Sequence, residues 1–495
     1  MNIINQKIVS AAIFCLGTGS CFATTYFIDP SAASNGNGTQ ASPYNTWVGR
    51  SFQPGNTYLQ KAGTSYGSQV SIVNALGTAA LPIVVGRYGI GANPVINNIF
   101  IGTASYLTIK NFGIPKGLVF NASSVKSHIT IAYNDISNPS TSSPGIYLGG
   151  EAPYIVITGN HVHDTGHFGI LVGTINATRA TGTVVSSNFV ENIGIHGISL
   201  FKTSYAFVTG NVVANTGIHG TVGTGGGGSA IHLYNGLYLD DPAGTEGHNN
   251  LIAGNVVYNA HDILGDGNGI QLDRATHDNI VTNNLSFSND GVGISLYGSD
   301  NNLIAGNVFY NNGMDPHRSH SLVGNIVVDA PPLSQRTNGD LTTQGNVISN
   351  NTVIVSDLNA STGPGRGPFG FEVTPPAGTN HYSGNKLILA PCGAPSDANM
   401  RYYHTWSPQS YPANGNDAAM WNAGAGIPNL IIHDSPDIFG TTPVTDIAST
   451  TLPMDFIIPT RDAVIFVLSG KMETLYGWRE DTGLYVTNMT NTATK

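Results

Sequence analysis

Charge is scarce in this chain. Of 495 residues only 10% are charged, with 19 Lys and Arg against 29 Asp and Glu. A mildly acidic sequence with no basic run lacks the electrostatic footprint of a nucleic-acid binder, and that partner class is set aside. Cysteine is nearly missing too. There are three, and Cys15 and Cys21 fall in the first 23 residues, so cleavage after Ala23 leaves Cys392 alone and no internal disulfide. Long apolar runs are also lacking: Ile8 to Leu16 is too short for the ~20 residues of a membrane helix, and no later stretch approaches that length. Finally, no segment sustains a helical period, which removes alternating strand–helix architectures. Disorder is excluded as well, because 40% of residues are hydrophobic.

Glycine is abundant, at 62 positions. The first residues read as an export signal over 1–23, with Lys7 ahead of a short apolar core and Ala23 before the cut. A secreted or periplasmic protein is therefore expected. Acylation at Cys21 is disfavoured, because Thr18 stands where lipoprotein signals prefer an aliphatic residue.

Internal repetition is the strongest signal. A phrase of alternating hydrophobics followed by Asn recurs, as in ITIAYNDI, IVITGNHV, AFVTGNVV and NLIAGNVF, with its Asn at 134, 160, 188, 211, 255, 284, 307 and 351. About ten residues later comes Gly-Ile-x-Leu or a close variant, as in Gly145-Ile146-Tyr147-Leu148, Gly197-Ile198-Ser199-Leu200, Gly269-Ile270-Gln271-Leu272 and Gly293-Ile294-Ser295-Leu296. The period of two, broken by Asn and Gly, indicates short strands and turns. Stacked units bury their Ile, Val and Leu in one continuous core. The recurrent Asn suits a left-handed backbone position, where Asn tolerates positive φ and its side chain can reach the next turn. The expected fold is all-β: a right-handed parallel β-helix, an N-terminal cap with first coils over 24–105, repeats over 106–390, and a C-terminal capping segment over 391–495. That last segment holds three of the four tryptophans and one further strand from Ala463 to Leu468.

The repeats resemble the parallel β-helix families of carbohydrate-active proteins, including polysaccharide lyases and mannuronan C5-epimerases. The opening Tyr26-Phe27-Ile28-Asp29-Pro30, Asn35-Gly36-Asn37-Gly38-Thr39 and Pro54-Gly55-Asn56-Thr57-Tyr58 is similar to the start of many secreted members. The resemblance implies a fold and a polysaccharide partner, and leaves the reaction open, because one scaffold hosts several chemistries.

Strand alternation sorts the Gly-Ile-x-Leu phrases into ladders. With Ile and Leu inward, one outward ladder reads Tyr147, Leu171, Ser199, His232, Gln271, Ser295, and the next reads Gly149, Gly173, Phe201, Tyr234, Asp273, Tyr297, with Lys202 and Arg274 just beyond. Phe201, Tyr234, His232, Gln271 and Asp273 are expected to line a sugar groove, and Lys202 and Arg274 to receive carboxylates. The alternative is a face of aromatics that stack only for stability.

Two intervals between Asn phrases are near double length. Asn211 to Asn255 contains Gly225–Gly228 and acidic residues Asp240, Asp241 and Glu246, which make calcium a candidate ligand although no EF-hand spacing is present. Asn307 to Asn351 contains Gly313-Met314-Asp315-Pro316-His317. If this replaces Gly293-Ile294-Ser295-Leu296-Tyr297, then Asp315 and His317 point outward, and Leu322-Val323-Gly324-Asn325 is the next Asn phrase. Asp315-Pro316-His317 is similar to the Asp-Pro-His signature of mannuronan C5-epimerases, and the resemblance implies a catalytic Asp315 and His317. The Tyr-Gly expected ahead of the triplet is not there; Tyr297 is the substitute phenol.

These groups suit abstraction of a uronate C5 proton: Arg274 or Lys202 neutralises the carboxylate, and His317 or Tyr297 acts as base. Expelling the 4-linked sugar makes a lyase, the leading expectation, and reprotonation makes an epimerase. A glycoside hydrolase needs two carboxylates, for which Asp273 and Asp315 are the available pair. A non-catalytic polysaccharide-binding solenoid is the alternative outside enzymes. A monomer is expected. His161 and His163 share one strand face beside His167, but with no third ligand evident in the sequence they read as solvated turn histidines, and no metal site is assigned.

Overall fold

The computed structural model describes residues 23–150, 152–173, 180–219, 227–235, 246–261, 266–310, 312–313, 325–329, 343–355, 371–373, 380–383, 385–389, 431–432, 465–468 and 471–474. No helix among them is long and apolar enough to cross a membrane. Each coil supplies three short strands, for example Val156–Thr158, His161–Thr165 and Ile170–Gly173. Each strand pairs in parallel with its counterpart in the next coil: Val156 with Val184, His161 with Phe189, and Ile170 with Ile198. Three parallel faces result, here termed the first, second and third sheets. The chain is a parallel β-helix, as the repeats predict.

The core is a set of aliphatic stacks. Ile131, Ile157, Val185, Val208, Ile252, Val281, Ile304 and Ile348 form the inward column of the first sheet, all fully buried. The Ile and Leu of each Gly-Ile-x-Leu phrase fill the third sheet, from Ile146 and Leu148 to Ile294 and Leu296, again buried. Each such side chain contributes roughly 1.5–3 kcal/mol by leaving water, and no coil keeps its share without a neighbour.

The Asn phrase does more than terminate a strand. Asn255 Oδ1 accepts from both the backbone N and Nδ2 of Asn211, at 2.9 and 3.0 Å, while its own Nδ2 donates to Val208 O and to Asn284 Oδ1. The same link joins Asn134 to Asn160 and continues to Asn351 and Asn385, inside the turn between the first and second sheets. A second ladder, Asn250–Asn279–Asn302–Asn346–Asn380, runs through the turn leading into the first sheet. Repeated buried backbone groups are thereby satisfied where the strands stop pairing.

The structure corrects the reading of these turns. The left-handed residue is the one before each ladder Asn: Tyr133, Gly159, Ser187, Gly210, Gly254, Asn283, Gly306 and Asn350 have positive φ. The ladder Asn itself is free to aim its amide along the stack. The glycine of Gly-Ile-x-Leu has a separate reason. A Cβ on Gly197 would sit 2.2 Å from Val213 Cγ1 and 2.6 Å from Ala230 O, because the turn into the third sheet passes directly against the next coil.

The double-length intervals are single coils. Asn211 bonds directly to Asn255, and Asn307 to Asn351. Asn325 is not a first-ladder residue: it accepts from Asn312 in the turn ahead of the third sheet. Ile326–Asp329 then takes the place assigned to Gly313–His317, with Ile294 opposite Ile326 and Tyr297 opposite Asp329. Asp315 and His317 lie in 314–324, outside the described residues, and Asp240 and Asp241 lie outside them as well. In the C-terminal part, Ile465–Leu468 is a strand, as expected from Ala463–Leu468, but it pairs antiparallel with Lys471–Thr474.

Candidate functional site

The outward ladders of the third sheet have the expected register. Ser199, His232, Gln271 and Ser295 stand opposite one another in successive coils, and so do Phe201, Tyr234, Asp273 and Tyr297. Their environment differs from the open groove expected. Ser199, Phe201, Lys202, His232, Gln271 and Asp273 are all buried, and only Tyr234, Arg274 and Tyr297 keep intermediate exposure. Residues at the turns into the sheet account for part of this cover. The Phe168 ring lies 5.8 Å from that of Phe201, and the His196 ring stacks on His232 at 4.2 Å. Phe201 is therefore a packing residue, enclosed by Phe168, His232 and Tyr234.

Polar groups converge beneath these rings. His232 Nε2 is 3.3 Å from Asp273 Oδ2, and Arg274 Nε is 3.8 Å from Asp273 Oδ1. Ser229 Oγ donates to Gln271 Oε1 at 2.6 Å, and Ser229 N donates to His196 Nδ1 at 3.1 Å. Arg274, whose φ of 36° turns the chain sharply out of the strand, lies 5.9 Å from the Tyr297 ring centroid. Among the described residues, three buried polar atoms here make no hydrogen bond: Ser199 Oγ, His232 Nδ1 and Asp273 Oδ1, the last facing only the Arg274 guanidinium. Buried polar atoms are rarely left unpaired, so three on neighbouring strands mark a place built to meet something else.

Protonation is set by the same burial. Desolvation pushes the Asp273 carboxyl up to about 7, against a smaller opposing pull from Arg274. Asp266, absent from the sequence-based candidates, is also raised to about 7, first by desolvation and then by repulsion from Asp273. Desolvation, aided by the Arg274 charge, lowers His232 to about 3, and His196 falls well below its usual range for the same leading reason. Two carboxyls thus titrate together near neutrality, beside imidazoles that stay uncharged. Nothing in the sequence marked Asp266, which sits in an ordinary Gly-Asp-Gly turn; its effect arises from the fold bringing it near Asp273.

Elsewhere, Glu246, proposed with the calcium candidates, is buried and accepts from Ser204 Oγ at 2.9 Å. His167 departs from the His161–His163 pair and packs edge-on against Phe168. The third ligand that the sequence did not reveal for that pair comes from the preceding coil: Asp135, His161 and His163 bring donor atoms within 4.8 Å of one another.

Residues 97–315 match the family model described as NosD, periplasmic copper-binding protein. Within that span, Asp135, His161 and His163 are the one group of three metal-ligating side chains among the described residues, and their imidazole and carboxylate donors fit a copper-type ion. A search of curated proteins finds no match to the chain. Among solved structures, it is similar to a GH136 lacto-N-biosidase from Eubacterium ramulus, at 14% identity and TM-score 0.46, covering 83% of this chain and 67% of the other. It is also similar to the A-module of a mannuronan C-5 epimerase from Azotobacter vinelandii, at 14% identity and TM-score 0.45 over 76% and 91% of the two chains. An alginate lyase from a Paenibacillus species gives 15% identity and TM-score 0.35 over 78% and 99%. At these identities and superpositions the likenesses assign no chemistry to this chain.

Proposed function

We propose that the third-sheet face around Asp273 is the active site of an exported enzyme that cleaves glycosidic bonds in an acidic polysaccharide. The observation that carries this reading is the buried Asp273 carboxyl set between His232 and Arg274, with it and Asp266 both pushed up to about 7 by desolvation. Glycosidic cleavage needs one carboxyl to protonate the leaving oxygen and another to act as base or nucleophile, so a pair that holds about one proton at neutral pH fits. Arg274 and Lys202 supply positive charge for a substrate carboxylate. Neutral His232 holds Asp273 Oδ2 and orients it. Tyr234 and Tyr297, half-exposed, offer aromatic edges and faces to sugar rings.

β-Elimination is the second reading, favoured by the placement of Arg274 beside both Asp273 and the Tyr297 ring. There Arg274 and a protonated Asp273 would neutralise the uronate carboxylate while the Tyr297 phenol handles the proton.

Proton NMR in heavy water with alginate, pectate and glycosaminoglycans separates the readings. New reducing ends without a vinylic signal support hydrolysis, and a vinylic sugar proton supports elimination. C5 deuteration without cleavage would replace both with epimerisation. No change in any uronate polymer would overturn the proposal. Asp273→Asn is expected to lower turnover by about 100-fold or more, the scale of a lost acid–base group.

A further inference from the structure

A second constellation lies on a different face of the solenoid. In the second sheet, Ile136, Val162 and Val190 point inward, fully buried, so Asp135, Ser137, His161, His163, Phe189 and Glu191 project outward. The register sets Asp135 opposite His161 and His163 opposite Glu191. Two imidazoles two residues apart on one strand are thus flanked by a carboxylate from the coil before and another from the coil after. Their rings stack at 4.2 Å, and Phe189 covers the other face of His161 at 5.2 Å.

The hydrogen bonding has the layout of a ligand shell with outer support. His163 Nε2 is 2.6 Å from Asp135 Oδ1, and its Nδ1 is 2.8 Å from Asp164 Oδ2. Asp164 is itself held by Asn192 Nδ2 at 3.1 Å, and Asn192 by Asn215 Nδ2 at 2.6 Å. A carboxylate on the far nitrogen fixes the tautomer and leaves Nε2 as the donor, which is how proteins orient metal-ligating histidines. Glu191 Oε1, 2.9 Å from His161 Nε2, is an adjoining oxygen donor outside the three-residue group. Ligand atoms around a tetrahedral ion lie roughly 3.3 Å apart for bonds of about 2 Å. The three donor atoms all lie within 4.8 Å of one another, and Asp135 Oδ1 is already 2.6 Å from His163 Nε2.

The geometry points to a divalent transition-metal site formed by His161, His163 and Asp135, with Glu191 as the adjoining oxygen donor and Asp164 as the orienting carboxylate. Mixed imidazole and carboxylate donors select copper(II) or zinc(II) over calcium, and copper binds tighter than zinc at such a set. The site lies on the second sheet and is independent of the glycan-cleaving reading of the third.

The test is calorimetric titration of the tag-free full-length protein with copper(II), zinc(II) and calcium(II), checked by chelator competition and, for copper, by electron paramagnetic resonance. One equivalent of copper and of zinc should bind, copper tighter, with no calcium heat and with nitrogen couplings from the imidazoles. His163→Ala should abolish the site, and Asp164→Asn should weaken it about 10- to 100-fold, the effect of losing an outer-shell carboxylate. Circular dichroism melting of each variant confirms that it is folded, and Asp135→Asn supplies a second ligand variant if His163→Ala is not. Absence of binding by the wild-type protein, or affinity unchanged in the folded variants, would overturn the proposal.

Discussion

At the scale of single residues, Asp273 shows how burial converts an ordinary side chain into a titrating one. Its carboxyl pKa in the folded chain, about 7, lies above the ordinary value of 3.8, so the folded state holds the proton more tightly than the unfolded state. Stability from this group is complete below about pH 4 and is lost as pH rises through 7. Asp273→Asn should therefore raise the melting temperature at pH 8 relative to wild type, by a gain on the order of 2–4 kcal/mol, and should change little at pH 4. His232 has the opposite sign. Its folded pKa, about 3, lies below 6.5, so its contribution is present above pH 6.5 and is lost as pH falls toward 3. His232→Gln should make the protein more resistant to acid unfolding between pH 4 and 6, as read by circular dichroism across a pH series. Asp273 and His232 were both legible as outward ladder residues. Their altered protonation was not, because it depends first on burial, which the repeat pattern does not report, and then on the Arg274 charge.

At the scale of elements, the strands are short and the turns between them carry much of the specification. Asn255→Ala would strand two Asn211 donors and the Val208 carbonyl inside the core. Unmet buried groups are worth about 1–3 kcal/mol each, so a loss of roughly 3 kcal/mol or more is expected in denaturant melts. Gly197→Ala should also destabilise, since the added methyl meets Val213 and Ala230 of the next coil at 2.2 and 2.6 Å. Gly210→Ala is the control for close approach: it has positive φ but its nearest neighbour lies at 3.9 Å, so it should lose only about 1 kcal/mol from backbone strain. Strand positions and inward phase were readable because a period of two reports them directly. The left-handed residue was misplaced by one, since Asn is both a common positive-φ residue and a good side-chain hydrogen bonder, and the ladder uses the second property.

At the scale of the whole molecule, the stack behaves as a one-dimensional array in which each coil depends on its neighbours. A substitution in a central coil, such as Asn255→Ala, should broaden or split the unfolding transition. The same change at Asn134, where the Asn ladder begins, should mainly lower its onset. Differential scanning calorimetry of the two variants distinguishes these outcomes. The long connections explain the errors made at this scale. An interval of 44 residues reads as two coils when only length is available, whereas the direct bond from Asn307 to Asn351 shows one coil with an insertion. The strand opposite Ile294–Tyr297 in that coil is Ile326–Asp329.

The amino-acid sequence by itself determined the β-helix, its Asn and Gly-Ile-x-Leu positions, and which side chains share a ladder. These follow from local alternation and a repeat that survives translation along one axis. Only the tertiary structure decided which outward residues are covered, which carboxyls interact, and that Asp135 joins His161 and His163. Those properties depend on contacts between coils and on turns of unequal length, where partners in adjacent coils lie 23 to 44 residues apart along the chain, as Asn188–Asn211 and Asn211–Asn255 do.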